Sequence, residues 1–243
     1  MEKRAGINFI ILLGILMTYG FSQAQIITSG RIVFERKTNL EKKFSDARMK
    51  KWLGDNKSKT DMFELIFNDT ISLFKPIESD VADRISWATS KSTVLQNVKK
   101  NENLFVMDIV GQQVLLQDSM HIRKWQITDS KRTIDKYNCR KAVYQKNDST
   151  RLYAWYAVDI VPSVGPEGFF GLPGAILGLA TEDGGIIYFA KSVEFMEPKR
   201  EDFAVNAKKK DIYTPDQLKA KMEKEMGDSE WGKRMYNEMF RWL

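Results

Sequence analysis

The chain of 243 residues has one cysteine, Cys139, and one histidine, His121. A single cysteine excludes an internal disulfide and any cysteine-built metal site. A lone histidine leaves no histidine-rich zinc or copper centre. Oxygen-ligand sites stay open on this inventory, but it calls for neither a metal nor a cofactor. Six prolines and 15 glycines are too few for a collagenous or low-complexity chain. No repeat with a period of roughly 20–50 residues is visible. The sequence also lacks a phosphate-binding loop, a dinucleotide fingerprint, a nucleophile elbow, a His-Glu-x-x-His pair and a calcium-binding loop. What is present is ordinary for a globular protein: 43% hydrophobic, 29% charged and 12% aromatic residues.

Long apolar runs are scarce as well. Met1-Glu2-Lys3-Arg4 precedes an uncharged run from Ile7 to Phe21, and Ser22-Gln23-Ala24 follows with small residues at the −3 and −1 positions of a signal-peptidase cut. This is the layout of a secretory signal peptide, residues 1–24, cleaved after Ala24. The run is shorter than the ~20 residues a spanning helix needs. No cysteine stands at the cut, so a lipoprotein anchor is excluded. The sequence therefore implies a periplasmic protein with no membrane span after cleavage; onward secretion stays open.

Residues 25–243 have the size of one domain. Losing Glu2, Lys3 and Arg4 lowers the net charge from +6 to +5. That is a solubility term spread over the domain, and export argues against a nucleic-acid partner. Burial is the simplest account of an unpaired Cys139 in an oxidising compartment.

Ile26 to Glu35 reads as a first strand. Residues 39–53 then switch to helical spacing, with Leu40, Phe44, Met49 and Leu53 on an apolar stripe and Lys42, Lys43, Arg48, Lys50 and Lys51 on other faces. That basic cluster reads either as a solvated face or as a contact for an anionic partner. Beyond it the period becomes two. Met62–Phe67 and Ile71–Phe74 flank the turn dipeptide Asn68-Asp69, and Leu104–Val110 and Gln113–Gln117 flank Gly111. His121–Ile127 follows; Tyr137–Tyr144 and Leu152–Ile160 flank residues 146–149; Ala175–Ala180 and Ile186–Ala190 flank Glu182-Asp183-Gly184-Gly185. The spacing predicts a mainly β protein: an antiparallel sheet of about 8–10 strands forming a sandwich or half-open barrel. Thr214-Pro215-Asp216-Gln217 has capping-box spacing and opens a helical segment, 214–243. Leu218, Met222 and Met226, then Trp231, Met235, Met239 and Trp242, form stripes that read either as core packing or as a docking face.

Chemistry is thinly signalled. His121 alternates with Arg123 and Trp125, and a catalytic role would need a nucleophile and an orienting carboxylate brought to it by folding. Glu182-Asp183 sits in a turn. The unusual stretch is Trp155 to Leu177, WYAVDIVPSVGPEGFFGLPGAIL, with three prolines and four glycines among Trp155, Tyr156, Phe169 and Phe170. Glycine and proline together leave such a loop few shapes. It is read either as a preformed recognition surface or as a rigid strand connection packed over the core.

Gly171-Leu172-Pro173-Gly174-Ala175-Ile176-Leu177 resembles the motif that names the GLPGLI family, exported envelope proteins of Bacteroidetes-type bacteria with no established biochemical function. Trp155-Tyr156 running into Asp159 and Pro162, and Gly165-Pro166 followed by Phe169 or Phe170, are similar to that family's context. So are Trp125-Gln126-Ile127 and the run Ile134 to Ala142. The likeness spans about residues 104–195, with Ala175 in place of the usual larger Leu. It carries over no catalytic residue. It implies work in the envelope beside TonB-dependent outer-membrane receptors, a link by association.

The combined expectation is a non-enzymatic binding or accessory module that uses loop 165–177. Its candidate contact residues are Trp155, Tyr156, Pro166, Phe169, Phe170, Gly171, Leu172, Pro173 and Gly174. A periplasmic carrier of lipid or another hydrophobic ligand in a half-open barrel is the alternative, and a hydrolase using His121 the third reading.

Overall fold

A computed structural model describes residues 26–79, 82–109, 111–147, 150–205 and 211–227, together with 229, 232, 233, 236 and 237. The signal peptide expected at 1–24 falls outside the described residues, as do Trp231, Met235, Met239, Trp242 and the side chain of Met226.

The chain begins with β1 (Gly30–Asn39), α1 (Leu40–Lys43) and α2 (Ala47–Leu53), then β2 (Ser58–Phe67), β3 (Ile71–Pro76) and β4 (Thr93–Asn97). Next come β5 (Glu102–Ile109), β6 (Gln112–Ser119), β7 (Gln126–Ile134), β8 (Tyr137–Asn147) and β9 (Thr150–Ala157). The last elements are β10 (Ala175–Thr181), β11 (Ile186–Phe195), β12 (Ile212–Tyr213) and α3 (Pro215–Met226). Among the described residues these strands form one twelve-stranded sheet in the order β12-β6-β5-β4-β3-β2-β1-β11-β10-β9-β8-β7. Neighbours run antiparallel except β12, which lies parallel to β6.

The mainly β architecture matches the periodicity, with differences in detail. β4 buries Val94 and Gln96 in alternation, but an inward glutamine hides the apolar period, and β12 has only two residues. The strand expected at His121–Ile127 begins only at Gln126, and residues 120–125 are irregular. β7 itself is exposed along almost its whole length, so it lacks the apolar alternation that would have marked it. The helix expected at 39–53 is two helices. Phe44 is extended (φ −119°, ψ 104°), and the Asp46 carboxylate accepts from the amides of Arg48 and Met49 to start α2 afresh. The capping box at Thr214 and Gln217 forms as expected. No helix among the described residues is long and apolar enough to cross a membrane.

Chain length shows that the sheet is curled. β6 and β7 stand ten positions apart in the strand order, about 48 Å along a flat sheet at ~4.8 Å per strand. The link from Ser119 to Gln126 is seven residue steps, and a fully extended chain covers at most about 25 Å in that number. The two ends of the sheet must therefore approach one another, giving a half-open barrel.

The concave face follows from register. On β1, Ile32, Phe34, Arg36 and Thr38 are buried in alternation. Phe34 lies opposite Phe63 on β2, and Arg36 lies opposite Asp61 on one side and Tyr188 on the other. Phe63 stacks on Phe74 with ring centroids 4.9 Å apart. From α3, Leu218 and Met222 join the same continuous core, so that these two members of the C-terminal apolar stripe pack inward. Cys139 is fully buried in this core, and burial pushes its thiol up to about 11. A thiol reagent at pH 8 should leave native protein unlabelled and modify one cysteine after denaturation; prompt labelling of the native protein would contradict this packing.

Candidate functional site

Between β9 and β10 the chain leaves the sheet for residues 158–174 and turns into the concavity. Backbone bonds hold its two ends: the amide of Ala175 donates to Ile160 (2.9 Å) and that of Ile176 to Val164 (2.8 Å). At the exit, the position a Cβ of Gly174 would take lies 2.1 Å from the Ala157 carbonyl oxygen. The loop's return therefore accepts no side chain there. At its innermost point, the 3-10 turn Pro166–Gly168, Glu167 (φ 54°) and Gly168 (φ 72°) are both left-handed. Glycine takes this shape freely, but for glutamate it is strained and needs the surroundings to hold it.

Those surroundings are a buried polar array. The Ser92 hydroxyl donates to one oxygen of Glu167 at 2.9 Å, and the Tyr188 hydroxyl donates to the other. Arg36 Nη1 lies 3.7 Å from that same oxygen. The Gly168 carbonyl accepts from Gln96 Nε2 at 3.0 Å, and Gln96 is set by Ser72 and Asn103 from the neighbouring strands. Behind Glu167, Arg36 Nη2 donates to Asp61 at 2.8 Å. Thr89 donates to the same Asp61 oxygen at 2.8 Å, while Lys59 and Lys91 approach the other at 3.3 and 3.6 Å. Lys59 also pairs with Asp83 at 2.7 Å. The Arg36 guanidinium lies 4.7 Å from the centre of the Phe63 ring. Among the described residues its Nε has no hydrogen-bond partner.

Charges and protons are fixed by these contacts. Burial alone would lower the proton affinity of Arg36, but the acidic groups of Tyr188, Glu167 and Asp61 raise it instead. Burial, then Glu167, pushes Tyr188 well above its ordinary range, so it stays a neutral donor. Burial would raise Asp61, yet Arg36, Thr89 and Lys59 hold its carboxyl below the usual value. Each carboxylate oxygen of Asp61 and Glu167 already has a partner, so the array is suited to holding the loop in place.

The other side of the loop meets the lead-in to β7. Phe169 tilts against Trp125, centroids 6.2 Å apart. The Arg123 guanidinium lies 4.1 Å from the Phe169 ring centre, and burial lowers its pKa. Trp125 Nε1 donates to the Phe170 carbonyl at 3.0 Å. Gly168 touches β4 while its neighbour Phe169 touches the approach to β7, so the loop bridges the two ends of the curled sheet.

The nine residues expected to make a binding face are thereby divided. Tyr156, Pro166, Phe169, Leu172 and Gly174 are buried, which corrects the expectation of exposed anchors there. They are the loop's inward packing face and its floor. Gly171 and Pro173 are exposed and Phe170 is half-buried. Trp155 sits on the opposite face of β9 from Tyr156, with Arg132 5.2 Å and Lys141 5.9 Å from its ring centre; it is not part of the loop's surroundings. His121 lies on the irregular link, exposed, with Nε2 3.0 Å from Asp118. Among the described residues, no three His, Cys, Asp or Glu side chains are grouped to hold a metal ion. Sequence reasoning missed Arg36, Asp61, Glu167 and Tyr188, although Arg36 and Asp61 stand in phase with the apolar alternation of their strands.

Replacing Glu167 by Gln removes one of the two carboxylates facing Arg36 and should destabilise the protein by about 3 kcal/mol in urea titration. Asp61 has a depressed native pKa. Its stabilisation is therefore complete above about pH 4 and is lost as pH falls through the native value. Asp61→Asn should remove that part of the acid limb; an unchanged acid profile would contradict the pairing.

No protein-family model matches the sequence, and no curated protein does. Among solved structures the fold is similar to that of PNGF-II. Its C2 crystal form aligns with a TM-score of 0.55 at 19% identity, over 79% of this chain and 32% of that one. Its P21 form aligns with 0.53 at 18%, over 80% and 32%. The chain thus spans about a third of the length of that protein, and at this identity the likeness is one of fold.

Proposed function

We propose that the protein is a non-catalytic binding or accessory module of the GLPGLI type, working in the cell envelope, with Phe170, Gly171 and Pro173 as its contact tip. The observation that carries this reading is the division within the loop. Glu167, Gly168, Phe169, Leu172 and Gly174 are locked into the barrel, and the short stretch between them is left at the surface. A tip fixed in this way loses little conformational entropy on meeting a partner. The motif and its sequence context support a partner among TonB-dependent outer-membrane receptors.

The hydrophobic-carrier alternative would use the same concave face. In that case the loop must leave it, against the buried pairing of Glu167 with Tyr188 and Ser92. The hydrolase reading keeps only the His121–Asp118 pair.

A photoreactive residue placed at 170 or 173 should give, in intact cells, an adduct with an outer-membrane receptor. One placed at Asp69, in the exposed β2–β3 turn, should give none. Equal adducts from both places, or none from the loop, would contradict the reading.

A further inference from the structure

A second surface, independent of the loop, stands out by its aromatic exposure. Trp52 on α2 is 75% exposed and Trp87, in the turn Ser86–Ala88, is 44% exposed. Their rings meet edge to face with centroids 6.3 Å apart. Trp87 also tilts against Phe44 at 5.6 Å. Phe44 is buried with Leu40, Leu53 and Ala88 in a small core of its own. The two indoles therefore stand on a packed base that holds them outward. Such exposed aromatic surface marks an interaction site more often than chance.

The surroundings say what kind. Residues 41–57 carry six basic side chains against Glu41, Asp46 and Asp55. Asp46 is engaged in capping α2, and Glu41 lies 3.8 Å from Lys57, so two of the three acids are already matched locally. Arg48 is four residues before Trp52 and shares its helix face. Lys51 directly precedes Trp52 and is exposed, whereas Lys50, two positions away, lies on the far side of the helix. Indoles with a cationic flank combine the two affinities of a lipid interface: an amphipathic ring for the headgroup layer, and positive charge for lipid phosphates.

We propose that this corner of the molecule docks on an anionic lipid bilayer, with Trp52 and Trp87 entering the headgroup region and Arg48 and Lys51 facing lipid phosphates.

The test is co-sedimentation of the protein, in the form the cell exports, with phosphatidylcholine vesicles containing roughly 30% phosphatidylglycerol or none. Binding should be at least about tenfold weaker without the anionic lipid and should fall with added salt. Trp52→Ala should weaken it roughly tenfold, and Arg48→Glu with Lys51→Glu at least as much. All these side chains are exposed, so thermal melting should stay unchanged and show that the variants fold. Ile122→Ser, at an exposed apolar residue elsewhere, should bind as the parent does. The proposal is overturned by absence of vesicle binding, by binding indifferent to the Trp52 change or to the charge reversals at Arg48 and Lys51, or by a loss equalled in Ile122→Ser. Retention on an anionic polysaccharide without retention on vesicles would overturn it in favour of a glycan partner.

Discussion

Glu167 takes a backbone shape that costs a non-glycine residue on the order of 1 kcal/mol or more, and its side chain enters the barrel, where a lone carboxylate would be far costlier. Both penalties are met by one contact set. Ser92 arrives from the end of the sheet near β4, and Tyr188 and Arg36 come from adjacent strands near its middle. Because Arg36 is in turn held by Asp61, a single carboxylate ties the loop to β1, β2, β4 and β11 at once. The left-handed turn, the burial of Phe169 and the exposure of Pro173 all follow from that attachment.

The curl of the sheet and the inward loop depend on each other. A flat sheet would leave no concavity for residues 158–174, and the short link to β7 already forbids flatness. With the loop in place, Phe169 fills space between Trp125 and the inner strands, and Gly174 lets the chain leave along Ala157 without a clash. The motif Gly171–Leu177 is thus first a packing solution. The interaction role proposed for it is confined to the few atoms that the packing leaves outside. The α1–α2 corner is organised differently: it has a small core of its own beneath rings that face water.

Much of this was legible in the sequence. Two-residue alternation marked most strands, the Asn68-Asp69 and Asp183-Gly184 turns marked hairpins, and Thr214-Pro215-Asp216-Gln217 marked the start of the C-terminal helix. The density of glycine and proline singled out the loop that turns into the concavity. Its direction was not legible, because aromatics such as Phe169 serve equally as anchors for a partner or as core. Arg36 and Asp61 left a readable trace as charges in phase with Ile32, Phe34, Phe63 and Leu65, but neither names the other without the register. β7 escaped because an edge strand with an exposed, polar sequence carries no burial pattern. The prominence of Trp52 depended on Phe44 breaking the expected helix, a choice made by Asp46 capping a new one.

The buried carboxylate makes loop 158–174 as rigid as the sheet around it. Native-state hydrogen exchange reads this at the amides of Phe169, Gly174, Ala175 and Ile176, each of which donates to a backbone carbonyl. Exchange at these sites as slow as that of the central strands β1 and β2, and faster when Glu167 is replaced by Gln, is the predicted result. Rapid exchange of the loop amides in the parent protein, while the sheet stays protected, would contradict it.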